Sequence, residues 1–307
     1  MPEPISGPYK FGRQHPPQLF GWRPDLVQQA EGDTIKFQSP FHAPPAATEN
    51  PPPPIWTLTK KLNNGNHLPT VEQGTGDCVA AGLAQAGARL QVADIAARFQ
   101  EEQLLPWHIA YIYGISRVQI GGGNIPGPGS TGAWGAAAVN KYGVLFNTDA
   151  GAPAYSGSLS DRWGEPPGPP VPFQELAEDN IVQQFARLTS IAELREALVN
   201  YHPVTIASMQ GFKMEPIIRE GYHVFQPEGQ WPHQMCLLAW MDEPFQAAYR
   251  LNSWGPDAHG TPLRGEPPGG AWCTADVLEK ELACSHCELF TYSLFDGFPA
   301  AVDRGLL

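Results

Sequence analysis

In the stretch VEQGTGDCVAAGLAQAGARL, residues 71–90, a cysteine stands between a short glycine-containing turn and an alanine-rich run that reads as a helix. Unpaired main-chain N–H groups and the positive end of the dipole favour a thiolate at a helix N-terminus, which makes Cys78 a candidate nucleophile. Alone, it would read as a buried cysteine used as a small hydrophobe. Its neighbours change that reading. Gln73 lies five residues upstream with glycines at 74 and 76 between, and its amide can curl back toward the sulfur to donate to a developing oxyanion. A thiolate nucleophile also needs a base, and the base an orienting partner. His233 stands at the mouth of an apolar strand in WPHQMCLLAWMD, and Asn252 ends another strand in YRLNSWG. Asn252 can accept from one imidazole nitrogen while the other faces Cys78, with Trp254 shielding that hydrogen bond from water. Such a set performs acyl transfer and calls for no cofactor and no metal.

The elements that must position these residues follow from periodicity. From Cys78 to about Gln100 the spacing of Leu83, Leu90, Val92, Ile95 and Phe99 predicts a helix, and a second runs near 106–118. After the glycine loop GGGNIPGPGSTG, AWGAAAVNKYG predicts a third short helix ended by Gly143. SIAELREALVN carries a capping-box pattern from Ser190 to Glu193 and leads into the strand HPVTIASMQ. YHVFQ, HQMCLLAWMD, AAYRLNSW and ELFTYSLF predict further strands. Helices first and strands second define an α+β protein with a helical lobe and a β lobe. Residues 1 to about 66, proline-rich and with PPPP at 51–54, show no sustained period and read as an extended N-terminal arm.

Composition bounds the function. A chain of 307 residues buries a substantial core. A net charge of −12 with no Lys/Arg cluster excludes an electrostatic grip on nucleic acid or anionic lipid, which leaves proteins or small molecules as partners. No apolar run approaches a membrane span, and the first residues do not read as a secretory signal. Five scattered cysteines, an odd number, fit a reducing compartment better than a disulfide framework. CSHC at 284–287 lacks the further ligands a zinc site needs and reads as free thiols or a disulfide pair. GGGNIPGPGSTG is no phosphate loop, since no Gly-Lys-Ser/Thr follows. His108, His202, His223 and His259 have no paired context, so structural roles are expected.

LPTVEQGTGDC, HQMCLLAWMD and YRLNSWG, in this order, resemble the three signature blocks of the papain-like cysteine peptidases, especially the shorter bacterial and phage forms. The likeness spans roughly residues 66–295, and FGWRPDL, residues 20–26, is similar to a segment preceding the domain in bacterial members. The resemblance implies a two-lobed α+β fold with a cleft between a helical lobe, about 67–150, and an antiparallel β lobe, about 185–300, in a domain of residues 67–307. It implies Cys78 as nucleophile, His233 as general base and acid, Asn252 as orienting residue, and Gln73 with the Cys78 N–H as oxyanion donors. Gly121, Gly122, Gly123 and Trp254 would line the substrate cleft. The expected substrate is a polypeptide, met in the cytoplasm or in a virus particle. The arm would be a pro-segment, a wrap around the domain, or a docking segment for other proteins of an assembly. Two other roles share the fold: a structural or docking component of a phage particle, and an amidase or acyl transferase on a non-protein substrate. Three features depart from the family pattern. The Gln73-to-Cys78 spacing is one residue shorter, the turn lacks the usual disulfide cysteine, and Asp77 replaces a small residue. A charge there would oppose a lowered thiol pKa if it pointed inward; solvent or the helix start is its expected target.

Overall fold

A computed structural model describes residues 19–42, 52–98, 104–123, 125–294 and 298. Its organising element is helix α3, Cys78–Arg98. Alanine and glycine let neighbours approach it from several sides. A Cβ on Gly87 would collide with the Trp107 ring, and Gly82 faces the Gln234 side chain. Around α3 stand α4 (Ile109–Gly114), continued by a π-helical turn over 115–120, α5 (Gly132–Lys141), α6 (Gly157–Trp163) and α7 (Val171–Ala177). Gly143 ends the predicted third helix with φ +70°.

The β half is one eight-stranded sheet: β1 (Gln184–Arg187), β2 (Val204–Phe212), β3 (Ile217–Arg219), β4 (Tyr222–Val224), β5 (Pro227–Met241), β6 (Ala247–Leu251), β7 (Gly270–Thr274) and β8 (Glu288–Ser293). Their order is β1-β8-β2-β5-β6-β7-β4-β3, antiparallel except for a single parallel pairing of β4 with β7. Helices α8 (Ile191–Val199) and α9 (Ala275–Leu282) join the strands. The capping box at α8 forms with one shift: Ser190 Oγ accepts from the Glu193 N–H, but the Glu193 carboxylate reaches the Thr189 N–H. The long central strand β5 lies against α3, which brings His233 and Cys78 to the same seam.

Residues 1–18 and 43–51 of the expected arm lie outside the described residues. The rest is extended only in part. Val27–Thr34 forms helix α1 and Ile55–Leu62 forms α2, burying Val27, Ala30, Ile55, Trp56 and Leu58. The prolines before α2 mark a helix start rather than the absence of one, because a proline just ahead of the first turn gives up an N–H that has no intrahelical partner anyway. Trp56 then packs edge-on against Tyr249 and Trp272 of the sheet. Among the described residues no helix is long and apolar enough to cross a membrane, and all five cysteines are free thiols.

Candidate active site

Cys78 opens α3 and its Sγ accepts from the Gln234 N–H at 3.4 Å, one residue along β5 from His233. His233 Nε2 lies 2.8 Å from Asn252 Oδ1, and Asn252 follows directly on β6. The Trp254 ring covers this pair with its centroid 4.9 Å from that of His233.

His259, which sequence reading left as structural, extends the row. Its Nε2 lies 2.9 Å from Asn252 Nδ2 and its Nδ1 3.0 Å from the Met214 carbonyl. These contacts fix every proton of a neutral chain. The Met214 carbonyl can only accept, so His259 carries its proton on Nδ1 and accepts from Asn252 on Nε2. Asn252 Oδ1 then accepts from His233 Nε2–H and from the Ser253 N–H at 2.8 Å. The lone pair of a neutral His233 is thereby left on Nδ1. Nothing in the sequence flagged His259, because six irregular residues separate it from its partner.

Residues 19–23 occupy the space over this row. Gln73 Nε2 donates to the Leu19 carbonyl at 2.9 Å and to the Thr75 carbonyl at 2.8 Å, while its Oε1 accepts from Ser253 Oγ at 2.5 Å. So the amide expected to face the sulfur meets a carbonyl oxygen of the chain's own N-terminal segment. Phe20 stacks over Trp231, with His233 and Trp254 at its edge. The Gly21 main chain lies beside the Cys78 sulfur, where its N–H favours the thiolate over the thiol. Gly21 is required here: a Cβ would lie 1.7 Å from the Gly76 carbonyl oxygen. The Trp22 N–H donates to the Pro232 carbonyl, Ser130 N–H to the Gly21 carbonyl and Arg23 N–H to the Ser130 carbonyl, so the segment bridges β5 and the glycine loop.

The Trp22 side chain fills a pocket beside Cys78, Val79 and Ala207. Its indole N–H donates to Glu288 Oε2 at 2.7 Å, and that buried carboxylate also accepts from the Gly132 and Ala133 N–H groups at the start of α5. Burial pushes the Glu288 carboxyl up from its ordinary value against the pull of these three donors.

The part of the glycine loop touched by the segment is Gly129–Ser130. Gly121, Gly122 and Gly123 sit at the far end of the same loop, where Gly121 ends the π-helical turn and Gly123 faces Pro166. Gly129 has φ +109°, and a Cβ on it would lie 2.5 Å from the Gly21 carbonyl oxygen. Its position is pinned by the Tyr113 hydroxyl, which accepts from its N–H, and by Arg117, which donates to its carbonyl.

Two expectations are corrected. Closed in this way, Cys78 is fully buried, and burial pushes its thiol up to about 12 against the Gln234 and Gly21 N–H groups, so desolvation outweighs the helix start. Asp77 does not point to solvent. It is fully buried, and its Oδ2 accepts from Tyr155 Oη at 2.8 Å and Ser160 Oγ at 2.7 Å. Burial raises its carboxyl to about 6 despite those donors.

The Asp77 shift sets a stability prediction. The folded chain holds this proton more tightly than the unfolded one, so its contribution is full below about pH 4 and is lost as pH rises through about 6. Two units amount to about 3 kcal/mol. The unfolding free energy of Asp77→Asn, minus that of wild type, should therefore grow by about that much between pH 4 and pH 7 in urea titrations. A difference independent of pH would refute the assignment.

The chain has the papain-like two-lobed fold. Among the similar solved structures are a cysteine protease and two procathepsins. Xylellain, a cysteine protease from Xylella fastidiosa, matches with a TM-score of 0.54 at 15% identity over 84% of this chain and 97% of its own. Digestive procathepsin L 3 of the Tenebrio molitor larval midgut matches with 0.53 at 11% identity, over 87% and 78% of the two chains. Procathepsin B S9 from Trypanosoma congolense matches with 0.50 at 12% identity, over 88% and 97%. No family profile and no curated protein sequence matches this chain.

Proposed function

We propose that this chain is a papain-like thiol peptidase of the bacterial and phage type, held latent by its residues 19–23. The observation that carries the reading is the row His233–Asn252–His259 with the Cys78 sulfur on the N–H of Gln234, the residue after His233, and the Gln73 amide already bonded to a carbonyl oxygen. Once the segment leaves, His233 Nδ1 takes the thiol proton and the sulfur attacks the substrate carbonyl carbon. Gln73 Nε2–H and the Cys78 N–H hold the oxyanion. The C–N bond then breaks as His233 returns its proton to the departing amine, leaving a thioester. Water, deprotonated by His233, hydrolyses it. Asn252 keeps the imidazole in the productive tautomer, and Trp254 shields that bond.

The test uses the full chain carrying Gly21→Ala, in which the added methyl group has no room beneath the segment. An electrophilic epoxide at neutral pH should label Cys78 faster than the exposed Cys284, which serves as an ordinary thiol in the same molecule. Labelling should vanish in Cys78→Ala and fall by about 10²-fold or more in His233→Ala. Cys78 reacting no faster than Cys284 would sink the peptidase reading.

A further inference from the structure

Four residues, Gly74 to Asp77, connect the two expected oxyanion donors, the Gln73 amide and the Cys78 N–H. Two of the four are glycines, and no disulfide stiffens the turn. Such a segment has little shape of its own. Its shape comes from α6 and the residues just before it. The Tyr155 hydroxyl accepts from the Gly74 N–H at 2.8 Å and donates to Asp77 Oδ2 at 2.8 Å, tying the first residue of the turn to the last. Ser160 Oγ donates to the same carboxylate oxygen at 2.7 Å, and Thr75 Oγ1 donates to Asp161 Oδ1 at 2.8 Å. The Gly74 main chain lies directly on Gly157, where a Cβ would stand 2.4 Å from the Gly74 carbonyl oxygen. α6 itself is anchored by Trp163, whose ring packs on His108 and Phe173.

We propose that Tyr155 and Asp77 are positioning residues that aim the oxyanion turn, a role that rests on the peptidase reading above. Neither touches substrate. Their hydrogen bonds hold Gly74 and Asp77 at a fixed separation, and through them Gln73 and the Cys78 N–H converge on one point. This accounts for a buried carboxylate beside a nucleophile that its charge hinders: Asp77 is kept for the turn and not for the thiol. Burial and the Asp77 charge drive the Tyr155 hydroxyl far above its ordinary value, so it stays a donor at every working pH.

The experiment separates carbonyl chemistry from simple alkylation, in the full chain carrying Gly21→Ala. Iodoacetamide alkylates the sulfur by displacing iodide and forms no oxyanion. A peptide aldehyde forms one: the sulfur adds to the carbonyl carbon, the thiol proton passes through His233 to the oxygen, and a hemithioacetal results. Tyr155→Phe keeps the ring and removes the hydroxyl. It should weaken aldehyde binding by roughly 10- to 10³-fold, with iodoacetamide alkylation of Cys78 within about twofold of the parent. Asp77→Asn, which retains an acceptor for Tyr155, should recover most of the aldehyde affinity.

Preserved alkylation also certifies that Tyr155→Phe is folded. Equal losses in both reactions, or a loss in neither, would overturn the clamp while leaving the peptidase reading intact. A Gly21→Ala parent whose Cys78 alkylates no faster than Cys284 and binds no aldehyde would instead overturn the peptidase reading, and the clamp with it.

Discussion

Replacing Gly21 by alanine should speed alkylation of Cys78 on the order of 10³-fold at neutral pH relative to wild type. The magnitude follows from the thiolate fraction. Burial holds the thiol at about 12 in the closed state. An ordinary exposed thiol lies near 8.5, so uncovering the sulfur raises its ionised population by about three powers of ten. Access adds to this, since Cys78 has no exposed surface while the segment is seated. The substitution acts by sterics alone: the new Cβ would lie 1.7 Å from a main-chain oxygen of Gly76, itself confined by Pro128 and the Phe20 carbonyl. Trp22→Ala should have the same effect for an unrelated reason. It empties a pocket against Val79 and Ala207 and removes the hydrogen bond to Glu288, the kind of loss that costs about 3–5 kcal/mol for a buried tryptophan. Mass-spectrometric labelling time courses give both rates, with Cys284 as reference. If both variants stay folded and Cys78 labels at the wild-type rate, residues 19–23 are not what covers it.

What sequence could and could not foresee about this cover has a physical basis. Cys78 and Asn252 stand out because each adjoins the end of a helix or strand, and His233 because the apolar run of β5 begins just past it, so residue type and local context coincide. Helix α3 is legible because Leu83, Leu90, Val92 and Ile95 fall at helix-compatible intervals in an alanine-rich run; Phe99 and Gln100, at the end of the expected helix, lie outside the described residues. The seat of Trp22 was not, because its partner Glu288 lies 266 residues away and carries no local mark. Asp77 misled for the same reason. A charge beside a turn reads as solvated, and only the fold brings Tyr155 and Ser160 to it. In the glycine loop, composition does not mark Gly129, since Gly122, Gly123 and Gly127 also have positive φ; only its close approach to the Gly21 carbonyl sets it apart.

The support beneath the site should prove as sensitive as its cover. Arg250 and Glu281 form a fully buried ion pair at 2.6 Å, with Arg250 two residues before Asn252 on β6. Glu281 also accepts from Ser208 Oγ, and Ser208 is the β2 register partner of His233. One carboxylate on α9 thus ties β6, which leads into the orienting asparagine, to β2, which pairs with the histidine's strand β5. Truncating either member strands the other's charge without water, so Glu281→Ala and Arg250→Ala should each lose about 3–5 kcal/mol in denaturant titrations. The double variant Arg250→Met/Glu281→Leu removes both charges and fills the space with apolar atoms. It should recover most of that loss, because the desolvation penalty disappears along with the attraction. A double variant as unstable as either single one would mean that packing, and not stranded charge, sets the cost. Stability and site support can then be told apart. With Gly21→Ala added, a stable double variant whose Cys78 reacts slowly would show that Glu281 is needed to hold β2 and β6 in register with β5 at His233 and Asn252. One that reacts at the parent rate would show that the sheet holds that register without it.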